Sequence, residues 1–427
     1  MRRILRTGSL RPRILTRPLA VFAVLGPGVV AASAGNDAGG IATYATAGSE
    51  FRYRMLAVML LVTVALVVVQ EMSARLGAHT GEGLVSLIRE QFTLRTAAFA
   101  LVCLLVANLG LVVSEFAGIG AAFELFGVSR YLAIPIAAFA LWALVVFGSY
   151  TWAERGFLLL AIAFLAYPVA AVLGHPDWGD VARDTAIPNL GTSHAFVLLA
   201  VALVGTTVTP YMQMYQASAV ADRGRGSGGY TPASYKVVRA DAIGGAIVAN
   251  VVSMCIIVAT AATIGGTGPL RSADQAARAL EPVAGAGATA LFAIGLLGAS
   301  ALAAAVVPLA TAYGVAEAMG AERSVSRRFR EAPLFLGIFT VLVGAGAAIA
   351  LLPGNLVQLL LSMQVLNGLI TPVILVFILV LANRRAVLGD AVNGRRFNAV
   401  ATTCVALVGL LALVVVVQAL GARLVGP

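Results

Sequence analysis

With 427 residues, 60% of them apolar and only 11% charged, this chain is not a soluble globular protein. Soluble domains are roughly 45–50% apolar and about 25% charged, and a fold of this size could not bury the excess. The formal charge of +10 would suit a nucleic-acid binder in a soluble chain. On a membrane protein, basic residues mark cytoplasmic loops instead, so no nucleic-acid partner is expected. Cys103, Cys255 and Cys404 all fall inside apolar runs, which argues against a disulfide framework or a zinc site.

The apolar runs are long enough to cross a hydrocarbon core of about 30 Å as helices of about 20 residues. Short alternating segments that would indicate a β-barrel are missing. In chain order, eleven spans are predicted at 20–48, 55–74, 96–123, 131–149, 156–174, 193–219, 240–265, 284–316, 332–352, 355–382 and 398–421. An Arg-rich tail, 1–19, precedes the first span, which reads as a retained anchor and not as a cleaved signal peptide. Polar linkers such as 222-DRGRGSGGY-230 and 323-RSVSRRFRE-331 separate spans, and none is long enough to fold alone.

The basic residues orient these spans. With the N-terminal tail cytoplasmic, 22 of the 29 Lys and Arg fall inside. Arg52, Arg54, Arg130, Arg183, Arg271, Arg278 and Arg423 fall outside. One miscounted span would reverse every later loop and erode this bias, so it supports both the count and the orientation. The expectation is a multi-pass protein of the cytoplasmic membrane with its N-terminus inside and its C-terminus outside. Its partner is the lipid bilayer, and a monomer is the expected state.

Two spans are interrupted. The first, 25-LGPGVVAASAGNDAGGIATYATAG-48, carries Pro27, several glycines and the ionisable Asp37. The sixth, 203-LVGTTVTPYMQMYQASAV-220, carries Gly205, Thr206, Thr207, Thr209 and Pro210. A charge at membrane depth is costly and normally faces a cavity or a partner. Gly and Pro there permit unwinding, which frees carbonyls toward the same cavity. Kinks that merely ease packing would explain either span alone. Interruptions that open two successive sets of five spans point instead to an inverted-repeat transporter with a midplane site. The repeats are placed at 20–174 and 193–382, with an eleventh helix at 398–421. The donors are a carboxylate, hydroxyls and carbonyls, which suit a hard cation. An amino acid or amine pairing its ammonium with Asp37 stays open as a second substrate class.

At these positions the sequence resembles the Nramp family of divalent metal transporters. Gly26-Pro27-Gly28 followed by Asp37-Ala38-Gly39-Gly40 is similar to that family's GPG and Asp-Pro-Gly-Asn. The stretch 74-ARLGAHTG-81, the sixth-span 205-GTTVTP-210, and Gln364-Val365 with Pro372 also match in order. The resemblance implies a LeuT-like 5+5 inverted repeat with helices 1 and 6 broken. It further implies a metal set of Ala34, Asp37, Gly40, Thr206, Thr209 and Gln364, with Glu115, Asn367 and Tyr211 in the surrounding cavity network. No cofactor is implied beyond the transported ion.

The departures from the pattern carry information. The family's asparagine is Gly40 here, its methionine is Thr209, and the histidine after the proline is Tyr211. An aspartate associated with proton movement is Val112, three residues before the retained Glu115. Without the thioether, which selects softer metals, the set resembles the Nramp-related magnesium transporter branch. The expected cargo is Mg²⁺ or Mn²⁺ with weak or absent proton coupling. Proton-coupled Mn²⁺/Fe²⁺ uptake is the alternative on the same fold. Neither HExxH nor GxSxG occurs, so an enzyme is not expected.

Overall fold

The computed structural model describes residues 36–147, 162–227, 230–320 and 332–424, and these are all helix and connections without a strand. Ala34, the first part of the first span and the start of the fifth lie outside the described residues. The main helices are α1 (Ala38–Phe51), α2 (Met55–Thr80), α3 (Leu84–Gln91), α4 (Leu94–Leu125) and α5 (Arg130–Phe147). They continue as α6 (Ala166–Leu173), α7 (Trp178–Ala186), α8 (His194–Thr207), α9 (Pro210–Ser227) and α10 (Pro232–Ile264). The last five are α11 (Ala273–Ala277), α12 (Ala288–Ala318), α13 (Pro333–Ala350), α14 (Leu356–Asn383) and α15 (Arg395–Leu424).

Nine stretches of the described residues are long and apolar enough to cross a membrane. They account for the predicted spans apart from two: the end of the first is continuous with the second in Ala38–Thr80, and the fifth is only partly described. Two helices stand where loops were expected. The connections α3 and α7 each align apolar residues along one side, as surface helices do.

Burial ranks the helices from centre to rim. In the most apolar stretch of His194–Gly224, 89% of residues are buried, against 28% in Arg395–Leu420. The interrupted sixth span is therefore the axis of the bundle, and α5 and α15 lie at its periphery. Around that axis α14 packs on both α8 and α4, α12 on α4, and α1 on α10.

The loops sort into two ends. At one end Gly266 N donates to Ser49 O at 2.7 Å, Arg130 to Gly354 O at 2.8 Å, and Asn355 to Arg271 O at 2.6 Å. At the other, Tyr235 donates to Glu71 at 2.8 Å, Arg75 to Ala391 O at 3.0 Å, and Gly83 N to Glu317 at 3.4 Å. Each of these contacts joins segments that the basic-residue pattern assigns to one side of the membrane.

Candidate functional site

The site forms where α1 begins. Asp37 caps the helix in an extended conformation (φ −73°, ψ 178°), and its Oδ1 accepts from Gly40 N at 2.6 Å. Asp is among the preferred N-caps because its carboxylate satisfies a first-turn N–H that has no helical partner. The adjacent Ala38 N donates to Glu115 Oε2 of α4 at 3.4 Å. Two carboxylates thus share the N-terminal, positive end of α1. Each keeps one oxygen without a partner, Asp37 Oδ2 and Glu115 Oε1, although both side chains are fully buried.

The third element is α14. The Cβ of any larger residue at Gly39 would lie 1.8 Å from Gln364 Nε2 and 2.6 Å from Ser114 Oγ. Glycine there is what lets the Gln364 amide lie across the first turn of α1. Gln364 Nε2 reaches Ser114 Oγ at 3.5 Å, and its Oε1 has no partner. One turn further along α14, Asn367 Nδ2 is also without one.

The fourth element is the gap between α8 and α9. Val208 leaves helical geometry (φ −112°, ψ 51°), and Pro210, which has no N–H to lose, opens α9. Thr371 of α14 donates to the freed Val208 carbonyl at 3.4 Å. Tyr44 OH and Thr207 Oγ1 lie 3.2 Å apart and tie α1 to α8. Thr206 Oγ1 and Thr209 Oγ1 are fully buried and have no partner.

The sequence-expected residues divide as follows. Asp37, Glu115 and Gln364 converge on the first turn of α1, while Thr206 stands at the end of α8, Thr209 in the gap before α9, and Asn367 about one turn along α14 from Gln364. Gly40 enters through its N–H, which holds Asp37, and Tyr211 is buried in the first turn of α9. Ala34 lies outside the described residues. Sequence reasoning passed over Ser114, although it stands next to Glu115 in the same motif. It also missed Asn36, whose Oδ1 accepts from Ser253 of α10 at 2.9 Å; no local pattern announces that pairing.

Buried polar groups without partners are uncommon and call for an explanation. Several of them belong to this site: Asp37 Oδ2, Glu115 Oε1, Gln364 Oε1 and the Thr206 and Thr209 hydroxyls; others lie outside it, at Gln70, Gln213 and Gln216 among them. No group of three or more His, Cys, Asp or Glu side chains forms a metal cluster among the described residues. Carboxylate, hydroxyl and amide oxygens are hard donors, which suit a hard cation better than a soft one.

Residues 28–418 match the sequence profile of Nramp, described as natural resistance-associated macrophage protein-like. The chain belongs to the Nramp family. The divalent metal cation transporter MntH of Klebsiella pneumoniae (strain 342) is 29% identical over 396 residues, covering 91% of this chain and 92% of that relative. MntH of Deinococcus radiodurans is 29% identical over 412 residues, covering 92% and 88%. Among solved structures, the Eremococcus coleocola manganese transporter, in complex with an aromatic bis-isothiourea compound, superposes with a TM-score of 0.72 at 18% identity. It covers 94% of this chain and 88% of that one. MhsT in complex with L-phenylalanine superposes with a TM-score of 0.57 at 13% identity, covering 92% and 98%. This is the LeuT-like fold expected for an Nramp chain, and among the described residues its sixth span is interrupted at Val208 and Thr209.

Proposed function

We propose that this chain is a secondary transporter that carries a divalent cation, Mg²⁺ and/or Mn²⁺, across the cytoplasmic membrane by alternating access. The observation that carries the reading is the pair of carboxylates at the first turn of α1, each with one uncommitted oxygen. In related folds the positive end of a half-helix receives the carboxylate of an anionic substrate. Here Asp37 and Glu115 already occupy that end, so an amino acid would find its anion site taken. A cation finds two negative oxygens and several neutral ones.

Mg²⁺ is commonly held through one or two carboxylates and keeps several waters, which matches this donor set. Mn²⁺ takes the same hard donors, and the relatives named for manganese and divalent metals add weight to it. Weak or absent proton coupling fits the surroundings of Glu115. Val112, the residue one turn before it, packs in apolar contact at Gly346, where a Cβ would lie 2.5 Å from Val112 Cγ1. The two repeats are taken as 20–174 and 193–382, with the Glu71 and Arg75 end facing the cytoplasm.

Metal uptake into proteoliposomes, wild type beside Asp37→Ala, tests the assignment. Wild type should accumulate Mg²⁺ or Mn²⁺ without acidifying the lumen, and Asp37→Ala should accumulate neither. Normal transport by Asp37→Ala would remove the site. Fe²⁺ or Cd²⁺ transport without Mg²⁺, accompanied by proton influx, would replace the substrate reading with proton-coupled transition-metal uptake.

A further inference from the structure

Several Ser and Thr side chains in the helices of this protein bond back to the carbonyl four residues earlier, and others, such as Ser73 and Thr207, bond a side chain on a neighbouring helix. Thr43, Thr46, Thr63, Thr260, Thr311 and Thr371 all make the backbone bond at 2.7–2.8 Å. That bond is the default for a hydroxyl inside a helix. Ser300 in α12 departs from it: it is fully buried, and its Oγ bonds neither to the Leu296 carbonyl nor to any other group. A buried hydroxyl left in this state is unfavourable unless something else satisfies it.

Its surroundings say what that is. A Cβ on Gly118 of α4 would lie 2.5 Å from Ser300 Oγ and 2.3 Å from Ala38 Cβ. Ser300 therefore sits where α4, α12 and the first turn of α1 meet. Asn108 bonds Thr311 at 2.8 Å, which fixes α4 and α12 in one antiparallel register. On that register Ser300 stands about one helical turn, ~5 Å, from the level of Glu115, toward the end that carries Arg130. One turn further in the same direction lies a cavity of about 10 Å³, little more than a single water, lined by Ala38, Ala121, Ser272, Phe292, Leu296 and Leu360 among others. Ser300 thus places a hydroxyl between a mostly apolar collar and the carboxylate pair.

We propose that Ser300 is a specificity-determining residue of the transport path. Its hydroxyl receives the cation, or a water of its shell, as the ion passes between the apolar collar and the Asp37–Glu115 pair. This rests on the divalent-cation reading above. A hydroxyl accepts a hydrated hard ion, while a thiol in its place would favour a soft one.

The test compares wild type, Ser300→Ala and Ser300→Cys in proteoliposomes supplied with Mn²⁺ or Cd²⁺; the three native cysteines are common to all. One hydrogen bond to a charged species corresponds to about tenfold in rate or affinity. Ser300→Ala should therefore lower Mn²⁺ uptake at low concentration about tenfold, and Ser300→Cys should raise the Cd²⁺ to Mn²⁺ uptake ratio by about the same factor. A membrane-impermeant thiol reagent added from the Arg130 side should inhibit Ser300→Cys and spare wild type, with Mn²⁺ slowing the reaction. Wild-type uptake ratios in both variants, with a thiol that the reagent does not reach, would overturn the proposal. Asp37→Ala, run in parallel, separates the two levels. If it is inactive while the Ser300 variants behave as wild type, only the role of Ser300 fails; if it transports normally, the cation site itself fails.

Discussion

Gly205 of α8 and Gly368 of α14 meet backbone to backbone. A Cβ on Gly205 would stand 2.0 Å from the Gln364 carbonyl oxygen and 2.4 Å from Gly368 N. This contact sets how close the interrupted sixth span lies to the helix that carries Gln364 and Asn367. Gly205→Ala should wedge the two helices apart at a typical overpacking cost of about 1–3 kcal/mol. Thr206 and Gln364 would be displaced together, so cation uptake should fall more steeply than the melting temperature of the purified protein. Unchanged uptake would mean that the spacing of α8 and α14 does not shape the site.

Asp37 has two roles that two substitutions can separate. Its Oδ1 caps α1 through Gly40 N, and its Oδ2 is the uncommitted oxygen. Asparagine retains a good N-cap, whereas alanine loses about 1 kcal/mol of helix stability. Asp37→Asn should melt close to wild type and Asp37→Ala below it. Both should weaken Mn²⁺ binding about 100-fold, or about 2.7 kcal/mol, in a calorimetric titration. Retained affinity in Asp37→Asn would assign the loss in Asp37→Ala to the cap and not to the charge.

Much of this was legible in the sequence, and for physical reasons. Lipid forces each span to satisfy its own backbone, so long apolar runs had to be helices. Asp37 and Pro210 were visible because both are expensive where they stand. What stayed hidden depends on packing between segments remote in sequence. Ser300 lies in a run of Ala and Gly that reads as close helix packing, and nothing local says its hydroxyl lacks the usual backbone bond. The Gly205–Gly368 contact spans two helices whose register no motif encodes. The helices α3 and α7 leave no span-like signal in the sequence, because each is too short and too polar to cross a membrane.

At the end opposite Arg130, a polar network joins α2, α10 and the loop before α15. Glu71 pairs with Arg75 at 3.1 Å and with Arg239 at 3.5 Å, and accepts from Tyr235 at 2.8 Å. Arg75 also bonds Ala391 O and Asn393, and stacks over Phe397 at 5.2 Å. Arg239 is half exposed and can rehydrate, but Arg75 is buried and cannot. Glu71→Leu should therefore destabilise the protein by about 3–5 kcal/mol, because it strands a buried charge. Adding Arg75→Met should recover part of that loss, since an apolar pair of similar volume is often tolerated where a broken ion pair is not. Thermal unfolding of the two variants in detergent checks the order. A double variant less stable than the single would show that Arg75 acts through its loop contacts more than through Glu71.

Thr209 offers the most direct handle on cargo. It lies at the α8–α9 interruption, fully buried, with an uncommitted hydroxyl next to Pro210. A methionine at this place would present a soft thioether, and softness favours transition metals over abundant hard ions. Thr209→Met should thus raise uptake of Cd²⁺ relative to Mg²⁺ and leave Mn²⁺ transport in place, because Asp37 and Glu115 still supply the charge. The added side chain also takes space that a partly hydrated ion would need, so Mg²⁺ uptake should fall in absolute terms. Competition between Cd²⁺ and Mg²⁺ in proteoliposomes measures both effects in one assay. An unchanged ratio would place Thr209 outside the coordination sphere, leaving selectivity to the carboxylates and to Gln364.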